Sequence, residues 1–76
     1  MRIAFTTQQA KGAMPNGTRI VKVKTEKGDA NPVGTKGVIV GSLGHPSLAD
    51  IGYFVKWDSA PDIPMVVLSW KIAREQ

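Results

Sequence analysis

Four lysines in the first half of the chain are the residues whose type and spacing suggest chemistry. Lys22 and Lys24 alternate along a run of β-branched residues, and Lys27 and Lys36 flank the loop that follows it. Residues two apart share one face of an extended strand, so the first pair predicts a basic strand face. Such a face binds the phosphates of a nucleic-acid backbone. The alternative is a solvated face whose lysines keep a sheet edge from pairing with other chains.

Two aromatic residues add to this candidate site. Phe54 and Lys56 alternate on one face of a later run, where a ring would stack on a base beside a charge. Phe54 and Trp70 are also candidates for contact with a protein partner. The nucleic-acid hypothesis comprises Lys22, Lys24, Lys27, Lys36, Phe54 and Lys56. The sequence leaves open a protein partner and self-association of the chain.

No arrangement of residues in the sequence predicts catalysis. His45 is the one histidine; Ser47 and Asp50 lie near it in sequence, but without the spacing of a catalytic triad. Asp58 and Asp62 flank a turn, where aspartates bond to their own backbone. The glycines match no phosphate-loop motif, and those of the predicted loop at residues 26–35 are interpreted as turn residues. With no cysteine as well, we predict a protein that is not an enzyme and has no cofactor or metal.

Composition and charge bound the size and class of the protein. The 76 residues make one small domain, and its net charge of +4 comes from the first half. Residues 1–38 hold seven basic and two acidic side chains, whereas residues 39–76 hold three and four. This asymmetry favours a polyanionic partner. A core this small is marginally stable, and self-association is one of the ways in which a domain without disulfides gains stability. We predict a soluble cytoplasmic protein.

The elements that would position these residues are all short strands. Alternation and turn residues predict strands at residues 18–25, 36–42, 52–57, 64–68 and 72–74, with a tight turn at 69–71. Residues 1–15 are predicted to be a flexible or edge-strand segment, with a possible strand at 2–6, and residues 16–76 a barrel. The predicted core consists of Val21, Val23, Val38, Val40, Tyr53, Val55, Trp57 and Val67.

Three segments resemble the SH3-like small barrels. Residues 16–21 resemble an opening Gly-x-Arg-Val strand, residues 33–40 a Gly-x-x-Gly-x-Val segment, and residues 53–58 a Val-x-Trp-Asp strand. The resemblance implies an all-β, five-stranded SH3-like barrel with an irregular N-terminal segment. Within this superfamily, KOW-type barrels share the second element and are implicated in ribosome or polymerase binding, which implies a non-catalytic binding module.

The type II dihydrofolate reductases are a second resemblance within the same architecture. They are similar in length and share Gly-x-x-Ile-Val-Gly and Gly-Tyr-x-Val segments, and they form a tetramer with a central pore. Their pore motif, Val-Gln-Ile-Tyr, corresponds here to residues 65–68, Met-Val-Val-Leu. The glutamine and tyrosine that contact ligands are absent, so an oligomeric pore enzyme is disfavoured and we predict no reductase activity.

Overall fold

Five strands form one antiparallel sheet. The computed structural model describes residues 5–29, 31–44 and 51–75. In chain order the strands are β1 (Arg19–Lys22), β2 (Lys36–Leu43), β3 (Gly52–Trp57), β4 (Pro64–Leu68) and β5 (Ile72–Arg74), with a 3₁₀ turn at Ser69–Lys71. Their order in the sheet is β4-β3-β2-β1-β5, so β4 and β5 are the outer strands. The predicted all-β class with five strands is confirmed.

The core lies on one side of β3. Tyr53, Val55 and Trp57 alternate inward, and their predicted register is confirmed by their burial. Val67 joins them from β4, also as predicted. Among the described residues, the buried hydrophobic cluster consists of Ile20, Ile39, Tyr53, Val55, Trp57, Val67 and Ile72.

The inward register of β1 differs by one residue from the prediction. Ile20 and Lys22 are buried, whereas Val21 is half-buried and Val23 is 48% exposed. The prediction placed Val21 and Val23 inward because it kept the lysine in solvent. A long lysine stem can be buried while its charged end meets polar partners, which is what happens here. The strand ends at Lys22, and the N–H groups of Val23 and Lys24 both donate to the Lys71 carbonyl.

The inward register of β2 also differs by one residue from the prediction. Gly37 and Ile39 point inward, and the predicted core residues Val38 and Val40 are only half-buried. A Cβ on Gly37 would lie 2.9 Å from the Lys56 carbonyl oxygen and 3.1 Å from Cε3 of Trp57, closer than side chains usually pack. The neighbouring strand β3 therefore leaves no room for a side chain at this inward position, and a glycine occupies it.

The described part of the N-terminal segment packs along β2 without regular secondary structure. The Ser42 N–H donates to the Gln8 carbonyl at 2.8 Å, and the Ala10 N–H donates to Ser42 Oγ at 2.8 Å. The Met14 N–H donates to the Tyr53 hydroxyl at 2.9 Å. These bonds fix residues 8–14 against the sheet. Most of the strand predicted at residues 2–6 lies outside the described residues.

The loop between β1 and β2 turns at two glycines. Gly28 and Gly34 have φ angles of 94° and 97°, in the left-handed region that favours glycine. Both were predicted to be turn residues, and this is confirmed. The loop then folds back towards the sheet, since the Gly34 N–H donates to the Lys22 carbonyl. Its first part consequently stands opposite the outer strand β4.

Candidate functional site

A cleft of about 290 Å³ separates β4 from the loop between β1 and β2. This volume is at the lower end of the range for small-molecule pockets, and it is open to solvent. One wall is formed by β4, the other by the loop and the 3₁₀ turn, with Trp57 between them. Its lining residues are Lys22, Gly28, Asp29, Asn31, Trp57, Met65, Val66, Val67, Leu68 and Lys71.

The β4 wall of the cleft is the edge of the strand rather than one of its faces. Residues 65–68 are consecutive, so their side chains alternate between the two faces of the sheet, yet all four line the cleft. A cavity that touches four consecutive residues of a strand must run alongside the backbone of that strand. The cleft is therefore bounded by the backbone of an outer strand.

Backbone hydrogen-bonding groups of β4 point into this cleft. The Ser69 N–H donates to the Ile51 carbonyl. Because bonded and non-bonded pairs alternate in an antiparallel ladder, Val67 and Met65 also bond to β3. The N–H and C=O of Val66, and the N–H of Leu68, then point away from β3. Among the described residues, no other strand pairs with β4 on that side.

The opposite wall carries two lysines that share one carboxylate. Lys71 Nζ lies 3.0 Å from Asp29 Oδ2, and Lys22 Nζ lies 3.5 Å from the same oxygen. Lys22 is only 4% exposed, and its ammonium donates to the Asn31 carbonyl at 3.1 Å. Lys71 also lies 3.2 Å from Oε1 of Glu26, which is on the solvent side of the loop.

Hydrogen bonds hold Asp29 in its charged form. The Glu26 backbone N–H donates to its carboxylate at 2.9 Å, and Lys71 donates to both of its oxygens. The backbone bond, with the lysines adding to it, lowers the pKa of Asp29 to about 2. The hydrogen bond from Lys71 to Asp29 in turn raises the pKa of Lys71 above its ordinary value. The wall thus carries fixed charges at neutral pH.

One aromatic ring, that of Trp57, lines the cleft, and a second, that of Trp70, lies beside it. The Lys22 ammonium lies 5.8 Å from the centroid of buried Trp57, within the range of a cation–π contact. Trp70 precedes Lys71 and is 39% exposed. The ammonium groups of Lys24 and Lys71 lie 5.6 and 5.2 Å from its centroid. The 3₁₀ turn therefore presents an accessible indole between positive charges.

The structure does not bring the four predicted lysines onto one surface. Lys22 is buried in the cleft wall, so its predicted exposure on a basic strand face is wrong. Lys24 lies by Trp70, Lys27 is exposed in the loop, and Lys36 pairs with Glu75 at 2.9 Å. Phosphate binding by the three accessible lysines stays a prediction.

The predicted exposure of Phe54 is also wrong. It does lie on the face of β3 opposite the core, but it is only 3% exposed. The ring of Phe5 covers it in an edge-to-face contact, with centroids 5.4 Å apart. The N-terminal segment thus removes from solvent a ring that was predicted to stack on bases or to contact a partner. Lys56, on the same face, is half-exposed, and Trp70 is accessible as its predicted role requires.

The cleft could not be predicted from local patterns because its two walls are distant in sequence. Asp29, Asn31 and Lys71 were not candidate residues, and only the folded chain brings them to Lys22. The one signal was the alternation that placed Lys22 on the same strand face as Ile20. Asp58 forms a two-point bond with Arg19, at 2.7 and 3.0 Å, in a second ionic cluster away from the cleft.

Grouped metal ligands and membrane-spanning helices are not found among the described residues. Within residues 5–29, 31–44 and 51–75, no three His, Cys, Asp or Glu side chains are grouped as metal ligands. The same ranges contain no helix with the length and apolar character needed to cross a membrane. His45 lies outside them. Comparisons with protein-family models, with curated proteins and with solved structures found no match.

Proposed function

We propose that this protein is a non-catalytic binding module that takes up an extended segment of a partner protein along the free edge of β4. The observation that carries the proposal is the cleft beside residues 65–68, into which the N–H and C=O of Val66 point. An extended segment laid there would pair with β4 by main-chain hydrogen bonds, as in other cases of strand addition.

The chemistry of the β4 edge supports this proposal. Natural outer strands are usually protected by lysines, bulges or shortness. β5 has only three residues and carries Arg74, but residues 63–69 around β4 carry no charge. The outward side chains of Val66 and Leu68 are 45% and 38% exposed. An uncharged, apolar edge of this kind favours pairing with another strand.

The proposal extends to the architecture and location of the module. We propose that the sheet is an SH3-like barrel, which is supported by the strand order β4-β3-β2-β1-β5 and by the 3₁₀ turn before β5. The absence of cysteine from the sequence supports a reducing, cytoplasmic location.

A proline at Val66 tests strand addition. The Val66 N–H points away from β3, so Val66→Pro removes a donor for an added strand without breaking a bond to β3. Pro64 already occupies the same register two residues earlier. The probe is a blocked peptide of about six alternating threonine and valine residues with a central glutamate, the length of a typical strand. We expect Val66→Pro to abolish its binding, measured by calorimetry.

The matched control is Val66→Thr, which keeps the N–H and a β-branched side chain and should bind the peptide as the unaltered protein does. Amide hydrogen exchange gives a second measurement, because the amides of Val66 and Leu68 should become protected on binding. A peptide that bound without protecting either amide would contradict strand addition. If the free protein already sediments as a dimer with these amides protected, a second copy occupies the edge instead of a partner protein.

Single-stranded nucleic acid is a second candidate ligand, favoured by a separate observation. Trp70 is partly exposed and has Lys24 and Lys71 beside its ring. Stacking of a base on an indole with cations nearby is the usual basis of binding to single strands. This candidate uses the 3₁₀ turn rather than the β4 edge, so Val66→Pro should leave it intact.

A further inference from the structure

We infer that the cleft selects an acidic side chain in the bound segment, and that the ammonium groups of Lys22 and Lys71 receive its carboxylate. This inference rests on the proposed function, because it assumes an extended segment against β4. It adds the chemical class of the partner, an extended segment with an aspartate or glutamate facing the loop wall. Lys22 and Lys71 lie on that wall, across the cleft from residues 65–68.

The hydrogen-bonding capacity of Lys22 is not filled by the described residues. An ammonium group has three N–H donors. The hydrogen bond that Lys22 makes among these residues goes to the neutral Asn31 carbonyl at 3.1 Å. Its nearest carboxylate oxygen, on Asp29, is 3.5 Å away and closer to Lys71. A buried ammonium gains most from a direct carboxylate partner, because its desolvation is then offset.

The charges of the cleft wall also favour an anion. Among the described lining residues, the two ammonium groups of Lys22 and Lys71 face one carboxylate, that of Asp29. Glu26 reaches Lys71 from the solvent side, where 59% of its side chain is exposed and water screens its charge. A carboxylate entering from the open side would balance the second ammonium. The chain as a whole, at +4, attracts acidic segments over longer distances.

Two peptides that differ in one group test the inference. Both are blocked peptides of about six alternating threonine and valine residues; one carries a central glutamate and the other a glutamine. Blocking the C-terminus leaves the side chain as the sole carboxylate. We expect the glutamate peptide to bind about tenfold more tightly, since hydrogen bonds to charged groups are the stronger ones. Added salt should reduce this difference.

Three variants locate the effect. Lys22→Met and Lys71→Met each leave Asp29 one lysine partner, and each should reduce the preference for glutamate. Lys24→Met makes the same change in charge by Trp70, outside the cleft, and should keep the preference. Far-ultraviolet circular dichroism checks that each variant is folded, and Lys71→Met, at the less buried position, carries the test if Lys22→Met fails to fold.

The outcomes separate the inference from the proposed function. Equal affinity for the two peptides, with protection of the Val66 amide, would overturn carboxylate selection and leave strand addition standing. Binding of neither peptide would overturn both. If the preference for glutamate were lost in Lys24→Met but kept in Lys71→Met, the carboxylate would bind outside the cleft. This result would overturn the inference. A glutamine peptide with a free C-terminal carboxylate would match the affinity of the blocked glutamate peptide only if the site recognises chain ends. Equal affinity of these two peptides would therefore overturn the selection of an acidic side chain.

Discussion

At the scale of single residues, Lys22 illustrates how a charge is kept inside so small a domain. Its ammonium lies over the ring of Trp57 and reaches Asn31 and Asp29 on the loop. Burying a cation costs free energy unless polar partners replace the lost water. The loop supplies these partners, so the lysine ties the sheet to the loop that forms the second wall of the cleft.

Trp57 is expected to contribute most to the stability of the core. It is buried, and Gly37 makes room for it in β2. Trp57→Ala should lower the free energy of unfolding by about 3–5 kcal/mol, which is enough to unfold a marginal domain. Trp70→Ala is the matched control at a partly exposed indole and should cost much less. Chemical denaturation measures both; an unchanged midpoint for Trp57→Ala would contradict the described core.

Asp29 is expected to make the free energy of unfolding depend on pH in the acidic range. Its pKa is about 2 in the folded protein, against an ordinary 3.8, so folding favours its charged form. Its contribution is present above about pH 4 and is lost as the pH falls towards 2. The free energy of unfolding should therefore fall less steeply over that range in Asp29→Asn than in the unaltered protein. Parallel curves, from urea denaturation at several pH values, would contradict the bonds described for Asp29.

At the scale of elements, the described part of the N-terminal segment is bonded to the sheet although it forms no strand. Its residues bond to Ser42 and Tyr53, and Phe5 covers Phe54. The contact depends on Gly41, because a Cβ there would overlap the Thr6 carbonyl. The glycine thus leaves the space that this segment, which has no regular secondary structure, needs to lie against β2.

Gly41→Ala is expected to displace this segment. Crowding of this kind typically costs about 1–3 kcal/mol, and displacement would also uncover Phe54. Trypsin should then cleave after Lys11 faster than in the unaltered protein, while the strands stay intact. Gly44→Ala is the control, because its Cβ would lie 3.6 Å from that of Ala10, an ordinary contact. Equal cleavage rates for both variants would mean that the segment is not held at Gly41.

At the scale of the whole molecule, the surplus positive charge is dispersed. Arg19 and Lys36 form ion pairs with Asp58 and Glu75, and Lys22 is buried. Lys24 and Lys27 remain exposed in the loop between β1 and β2. The number of lysines in a sequence therefore overstates the charge that a polyanion would meet on its surface.

Nucleic-acid binding, if present, should consequently be weak and depend on few lysines. We expect dissociation constants of about 10⁻⁴–10⁻⁶ M near physiological salt for a non-specific ligand. Replacing Lys24 and Lys27 together by glutamine should reduce the salt slope by about two units. Trp70→Ala should weaken single-strand binding by about 1–3 kcal/mol and spare duplex binding.

Lys22→Met is the control in the same titrations, since the Lys22 ammonium lies in the cleft rather than beside Trp70. A salt slope that fell with Lys22→Met but not with the Lys24 and Lys27 replacements would place the nucleic acid in the cleft and contradict the site at Trp70. No measurable binding at low salt would remove this candidate function. Fluorescence anisotropy over a range of salt concentrations measures all of these quantities.

The sequence by itself determined the local features of this protein. Alternation placed β3 with Tyr53, Val55 and Trp57 inward, and the turn residues located the loop with Gly28 and Gly34. These properties depend on residues close together in the chain, so period and backbone preference are enough to predict them. The bounds of β3, β4 and β5 follow from the same local signals.

Only the tertiary structure decided the registers of β1 and β2 and the composition of the cleft. Gly37 faces inward where β3 leaves no room for a side chain, and burial of Lys22 depends on partners at Asn31 and Asp29. Likewise Phe54 is covered by a ring 49 positions earlier in the chain. Each outcome depends on a contact between residues distant in sequence, and no local period records such a contact.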